Sequence, residues 1–129
     1  MIALDTNALA RLLIVDDLRQ STAVARLIER ERVLILRTVL LECEWVLRSR
    51  FGLERARIGA FFANLADTEN VVMEDDPQVR GALKSYLSGM DFADAMHVAA
   101  AQEHTLHTFD AKLARRAARQ GLAIKLIKA

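Results

Sequence analysis

The chain has 129 residues, enough for one domain with a hydrophobic core. Hydrophobic residues make up 53% and charged residues 27%, which excludes a disordered chain, and the formal net charge of +1 singles out no class of partner. The one cysteine, Cys43, excludes an intrachain disulfide and suits a reducing compartment.

Met1–Leu4 reads as a short buried strand. Asp5 interrupts that apolar run too early for a signal peptide, and no apolar stretch approaches the ~20 residues that span a bilayer. The expected location is the cytoplasm. Thr6 to about Val15 is helical in pattern, Asp16-Asp17 marks a turn, and Ser21 caps a helix to about Arg30. Val33-Leu34-Ile35-Leu36 is a second strand. Thr38 caps a helix to about Arg50, which Phe51-Gly52 ends. Glu54 to about Ala66 is an amphipathic helix, and Val71-Val72-Met73 a third strand. Asp76 caps, and Pro77 opens, a helix to about Leu87 that Gly89 breaks. Asp91 to about Glu103 is alanine-rich and helical. Thr105–Phe109 is a fourth strand, Asp110 caps a helix to Gln120, Gly121 closes it, and Leu122–Ile127 is a last strand.

Short apolar strands alternating with helices specify an α/β fold with a mainly parallel sheet, in one domain over residues 1–129. Strands of a parallel sheet are buried on both faces and read as continuous apolar runs, as MIAL and VLIL do. The N-terminal strand is therefore expected to be central. The high apolar content also suggests that part of the surface is covered by another subunit or partner.

In open α/β sheets ligands bind beyond the carboxyl ends of the strands. Asp5 follows strand one, Asp110 follows strand four, and Glu42 lies one turn into the helix after strand two. Asp91 and Asp94 open the helix before strand four and share a face. These five carboxylates are expected to converge at one sheet edge. Two like charges ~4 Å apart repel by roughly 4 kcal/mol at an effective dielectric of 20, which a divalent cation removes. Oxygen-only donors suit Mg²⁺ or Mn²⁺ rather than zinc, and such a site can activate water for attack on a phosphodiester.

Each residue also has a plainer reading. Asp5, Asp110 and one of Asp91 and Asp94 suit helix N-caps. Glu42 would be an ordinary surface residue, except that its neighbours Leu41, Trp45 and Val46 are apolar. Glu44 pairs with Arg48 four residues on. His97, one turn after Asp94, reads as a partly buried, hydrogen-bonded histidine, with a role beside the acids as the alternative. His104 and His107 read as structural, and Cys43 as core. No P-loop or GxGxxG occurs. Lys112, Arg115, Arg116 and Arg119 fall on one side of the last helix, with Lys125 and Lys128 beyond. Arg48, Arg50, Arg55 and Arg57 surround Phe51-Gly52. Either basic group could meet nucleic-acid phosphates or be a solvated face.

Four segments, ALDTN, TVLLECEWVLRSRFGL, DFADAMHVAAA and HTFDAKLARRA, together resemble PIN-domain proteins of the VapC type, the toxin ribonucleases of bacterial toxin–antitoxin pairs. The resemblance implies a Rossmann-like three-layer α/β/α sandwich and Mg²⁺- or Mn²⁺-dependent endonuclease cleavage of RNA with one or two ions. The family's acids fall on Asp5, Glu42, Asp94 and Asp110, with Asp91 competing with or assisting Asp94. Thr6, Asn7 and Thr108 match the polar residues beside them. The usual partner is a VapB-type antitoxin, and the usual assembly a homodimer. A phosphoacceptor signalling domain of the receiver type, also a small α/β fold with Asp at strand ends, is a competing class. It would need paired acids after strand one, an Asp after strand three and a Lys after the last strand, and Asp5 stands alone. A PIN nuclease outside any toxin pair and a non-catalytic binding module are the other readings.

Overall fold

The computed structural model describes residues 1–101 and 103–129. The chain forms two compact units, Met1–Asp76 and Pro77–Ala129.

The first unit is organised by its β-branched runs. Strands β1 (Ile2–Ala3), β2 (Val33–Ile35) and β3 (Val71–Met73) form one parallel ladder in the order β1-β2-β3. Ile2 faces Val33, Val33 faces Val71, and Ile35 faces Met73. Strand β2 is thus the middle strand of this ladder, where the sequence suggested β1. Strands β2 and β3 pair over three residues each, while β1 has only two and leaves Ala3 exposed.

Helices α1 (Thr6–Ala10) and α2 (Leu18–Arg30) connect β1 to β2, and α3 (Arg37–Ser49) and α4 (Arg55–Ala66) connect β2 to β3. Helix α1 is shorter than expected and continues to Leu13 only as turns. Asp17, not Ser21, caps α2, accepting from Arg19 N and Gln20 N at 3.1 and 3.2 Å. Ser21 lies inside the helix and donates to the Arg11 carbonyl at 2.8 Å, joining α2 to the turn after α1. Helix α3 begins at Arg37 without a cap from Thr38. Its first amide donates instead to the Glu74 carboxylate at 2.8 Å. That contact holds Glu74 below the usual carboxylate range. Leu9, Val33, Ile35, Leu40, Leu47 and Phe62 are fully buried. Each such side chain stabilises the fold by about 1.5–3 kcal/mol.

The second unit contains α5 (Asp76–Leu87), α6 (Phe92–Ala101), β4 (Leu106–Thr108), α7 (Ala111–Arg119) and β5 (Ile124–Leu126). The expected passage of the α6 helix through residue 102 lies outside the described residues. Strands β4 and β5 pair in parallel, Leu106 facing Ile124 and Thr108 facing Leu126. Tyr86 and Phe92 pack edge to face with ring centroids 5.1 Å apart, inside a core that includes Val79, Met90 and Ala117. Gly89 ends α5 with φ 108°, and the Arg116 guanidinium donates to its carbonyl from the place a Cβ would occupy. A side chain at position 89 would meet both obstacles. Every described strand pairing is parallel, as alternating helices and strands require.

Candidate active site

In the first unit, Leu4 separates β1 from Asp5. Asp5 Oδ1 accepts from Ala8 N at 2.9 Å, so the carboxylate caps α1 and is held in direction by that bond. Thr6, only 7% exposed, donates its hydroxyl to Glu42 Oε1. This bond spans 36 residues of sequence and explains how an exposed glutamate sits beside the apolar stripe of α3. Asp5, Thr6, Asn7 and Glu42 line one recess of about 270 Å³ together with Trp45, Val46 and Arg50.

The next acid along α3 has a different fate. Glu44 is 4% exposed and accepts from Arg48 Nε at 2.9 Å, the helix pair the spacing suggested, with its carboxylate turned into the protein. Arg48 is therefore already engaged with a carboxylate. Cys43 is buried, and burial first, then the charges of Glu42 and Glu44, pushes its thiol up to about 12. A thiol that holds its proton so tightly is core, not a nucleophile.

In the second unit, Asp91 Oδ2 accepts from Asp94 N at 3.1 Å and caps α6. Asp94 is half-buried in the first turn of that helix. Its carboxyl is raised above the usual range, first by burial and then by the charges of Asp91 and Asp110, while His97 pulls the other way. Asp110 caps α7 by accepting from Leu113 N at 3.0 Å. Its own amide donates to Thr108 Oγ1 at 3.0 Å, so Thr108 fixes the turn that presents it. This unit thus brings the charges of Asp91 and Asp110 to bear on Asp94.

His97 is exposed, where the sequence suggested partial burial. It stands three residues after Asp94 on α6, and the burial pattern there assigns the core to Ala95, Met96 and Val98 instead. His104 and His107 are exposed, and His107 Nδ1 lies 3.0 Å from the Thr105 carbonyl. Lys112, Arg115 and Arg119 are exposed on α7, while Arg116 is half-buried and committed to the Gly89 carbonyl.

The donor chemistry of these acids fits a hard divalent cation: every candidate is a carboxylate, and the burial and acidic neighbours that raise Asp94 disfavour a charge that such an ion would stabilise. Among the described residues no three acidic, histidine or cysteine groups are already arranged to hold an ion. Thr6, already a supporting residue on the sequence alone, is the donor that orders Glu42; the contributor that the sequence did not single out is Trp45, a wall of the same recess. The three-residue step from Glu42 to Trp45, which puts both on one helical face, is the signal that could have placed the latter.

Among the described residues no helix is long and apolar enough to cross a membrane. No curated protein matches the chain. The family model for the PIN domain matches residues 2–119.

Proposed function

The chain belongs to the PIN-domain family, with its α/β/α fold class, and from that premise we propose that it is a metal-dependent endoribonuclease acting as the toxin of a toxin–antitoxin pair. PIN domains are generally metal-dependent nucleases. The observation that carries the reading is the carboxylate Asp5 sharing one recess with Glu42, whose orientation Thr6 sets, inside a chain that matches the family from residue 2 to residue 119.

In this reading residues 1–129 work as one nuclease domain in the cytoplasm, and Asp5, Glu42, Asp94 and Asp110 are the residues that hold Mg²⁺ or Mn²⁺, with Asp91 assisting Asp94. When bound, one or two such ions neutralise charge on the scissile phosphate and lower the pKa of a water. The protein's own residues supply the rest. The cap bond to Ala8 N fixes the Asp5 carboxylate, and the Thr6 hydroxyl keeps Glu42 Oε1 from rotating away. Thr108 fixes the Asp110 turn. Asp94, raised first by burial and then by its acidic neighbours, is a carboxylate whose charged form a bound cation would favour. Arg50 lines the recess and, with exposed Lys112, Arg115 and Arg119, supplies cations for RNA phosphates. Arg48 and Arg116 would have to leave existing partners to join them.

Exposed Val15 and Leu18 in the first unit and Phe109, Leu126 and Ile127 in the second support partners that cover apolar surface, as a VapB-type antitoxin and a second copy in a homodimer would. A small antitoxin-like reading frame immediately upstream in the genome would support the toxin role over a PIN nuclease outside any pair.

The test is cleavage of defined RNAs by the purified protein with Mg²⁺, Mn²⁺ or EDTA, alongside Asp5→Asn. The wild type is expected to cleave only with metal and the variant not at all. RNA binding with no metal-dependent difference between the two proteins would point to a non-catalytic binding module.

A further inference from the structure

We propose that Trp45 is a stacking platform for one unpaired base of a single-stranded RNA, seated beside Asp5 and Glu42, with Arg50 on the adjoining phosphate. The placement of that base next to a scissile phosphate rests on the nuclease reading; the stacking itself does not.

Trp45 is the only tryptophan in the chain. It is 51% exposed, although Cys43, Val46 and Leu47 around it on α3 are all buried. A large aromatic ring left half in water is an uncommon use of a residue that usually buries most of its surface. The ring is also not stranded on an open face. It lines the same recess as Asp5, Thr6, Asn7 and Glu42, and Arg50 lines it too. Glu42, Trp45 and Val46 are three and four residues apart, so the helix turns the ring and the carboxylate to one side.

The composition of this recess selects its occupant. A ligand must offer a flat apolar face to the indole, an anion to Arg50, and polar edges to Asn7. A nucleotide offers all three. A paired duplex does not, because its bases are stacked on one another and expose no face to a side chain. A partner protein could cover the ring with an apolar side chain, but that would strand Asp5, Asn7 and Glu42 against apolar surface at a desolvation cost. Stacking is tolerant of base identity, so the platform sets the strand's position and its single-stranded character rather than its sequence.

Because the chain has a single tryptophan, its fluorescence reports this site alone. The full chain is titrated in EDTA with a short single-stranded RNA of mixed sequence and with an abasic ribose-phosphate oligomer of equal length. The RNA is expected to quench Trp45 emission and the abasic oligomer is not. Trp45→Ala is expected to weaken RNA binding about five- to 150-fold, with Trp45→Phe close to the wild type. Thermal melts of both variants check the fold, and the wild-type quenching decides the matter if Trp45→Ala fails to fold. Emission that does not respond to bound RNA, Trp45→Ala binding RNA as the wild type does, or quenching produced only by an antitoxin protein would each overturn the proposal. The outcomes separate the two readings. Quenching with no metal-dependent cleavage keeps the platform and removes the nuclease. Cleavage lost in Asp5→Asn, with RNA binding untouched by Trp45→Ala, does the reverse.

Discussion

Asp5 and Glu42 in the first unit are ordered by hydrogen bonds from Ala8 N and the Thr6 hydroxyl, whereas Asp94 in the second is half-buried and stands in the charge of the two capping acids Asp91 and Asp110. The two arrangements prepare carboxylates for a cation in different ways. A carboxylate tied by a buried hydroxyl is oriented before any ion arrives. A crowded carboxylate carries a penalty that only a proton or a cation relieves. Weakening the first pair should therefore cost activity without changing stability much, while neutralising Asp94 should cost activity and raise the stability of the metal-free protein.

The largest effect is expected at Asp110, where the capping and ion-holding roles can be separated. Asparagine caps helices about as well as aspartate, and alanine does not. Asp110→Asn and Asp110→Ala should both reduce RNA cleavage to background. Only the alanine variant should also lose about 1 kcal/mol in urea unfolding. Full cleavage by Asp110→Asn would reduce this residue to its bond with Leu113 N.

Thr6→Val tests the hydrogen-bonded side. Valine fills the buried volume but cannot donate to Glu42, so cleavage should fall about 10–100-fold, the usual loss when a residue that orients a metal ligand is removed. Thr6→Ser keeps the donor and should stay near the wild type. Equal loss in both variants would assign the effect to packing.

Asp94→Asn tests the crowded side. Asp94 is raised in the folded protein, so the folded state binds this proton more tightly than the unfolded chain does. Stability is thus lost as the pH climbs through the raised value and is unaffected below the ordinary carboxylate range. In EDTA at neutral pH, Asp94→Asn should melt a few degrees above the wild type, and the gap should close in acid. Added Mg²⁺ should raise the melting temperature of the wild type and not that of the variant.

The sequence exposed what is locally encoded. Val71–Met73 and the Asp76–Leu87 helix appear where their apolar run and proline-led start place them, and Asp110 caps its helix as its position suggested. Contacts between distant segments were not legible. Thr6 reaches Glu42 across 36 residues, and Glu74 meets the first amide of α3 across 37, so Thr38, a good capping residue by type, provides no cap. Ser21 and Asp17 are both good capping residues, and four positions of sequence do not show which of them sits at the helix end. The spacing of Glu44 and Arg48 revealed their pairing, but burial of that carboxylate depends on what packs over it. The acids themselves were visible as residue types after strands and in the first turns of helices. Their different electrostatic settings required side-chain positions.

Equilibrium binding of Mn²⁺ by calorimetry, on the wild type and on Asp5→Asn, Glu42→Gln, Asp94→Asn and Asp110→Asn, puts the role of these carboxylates to the most direct test. The wild type should bind one or two ions, and every variant should bind more weakly or not at all while remaining folded. An affinity and stoichiometry unchanged across all four variants would contradict it.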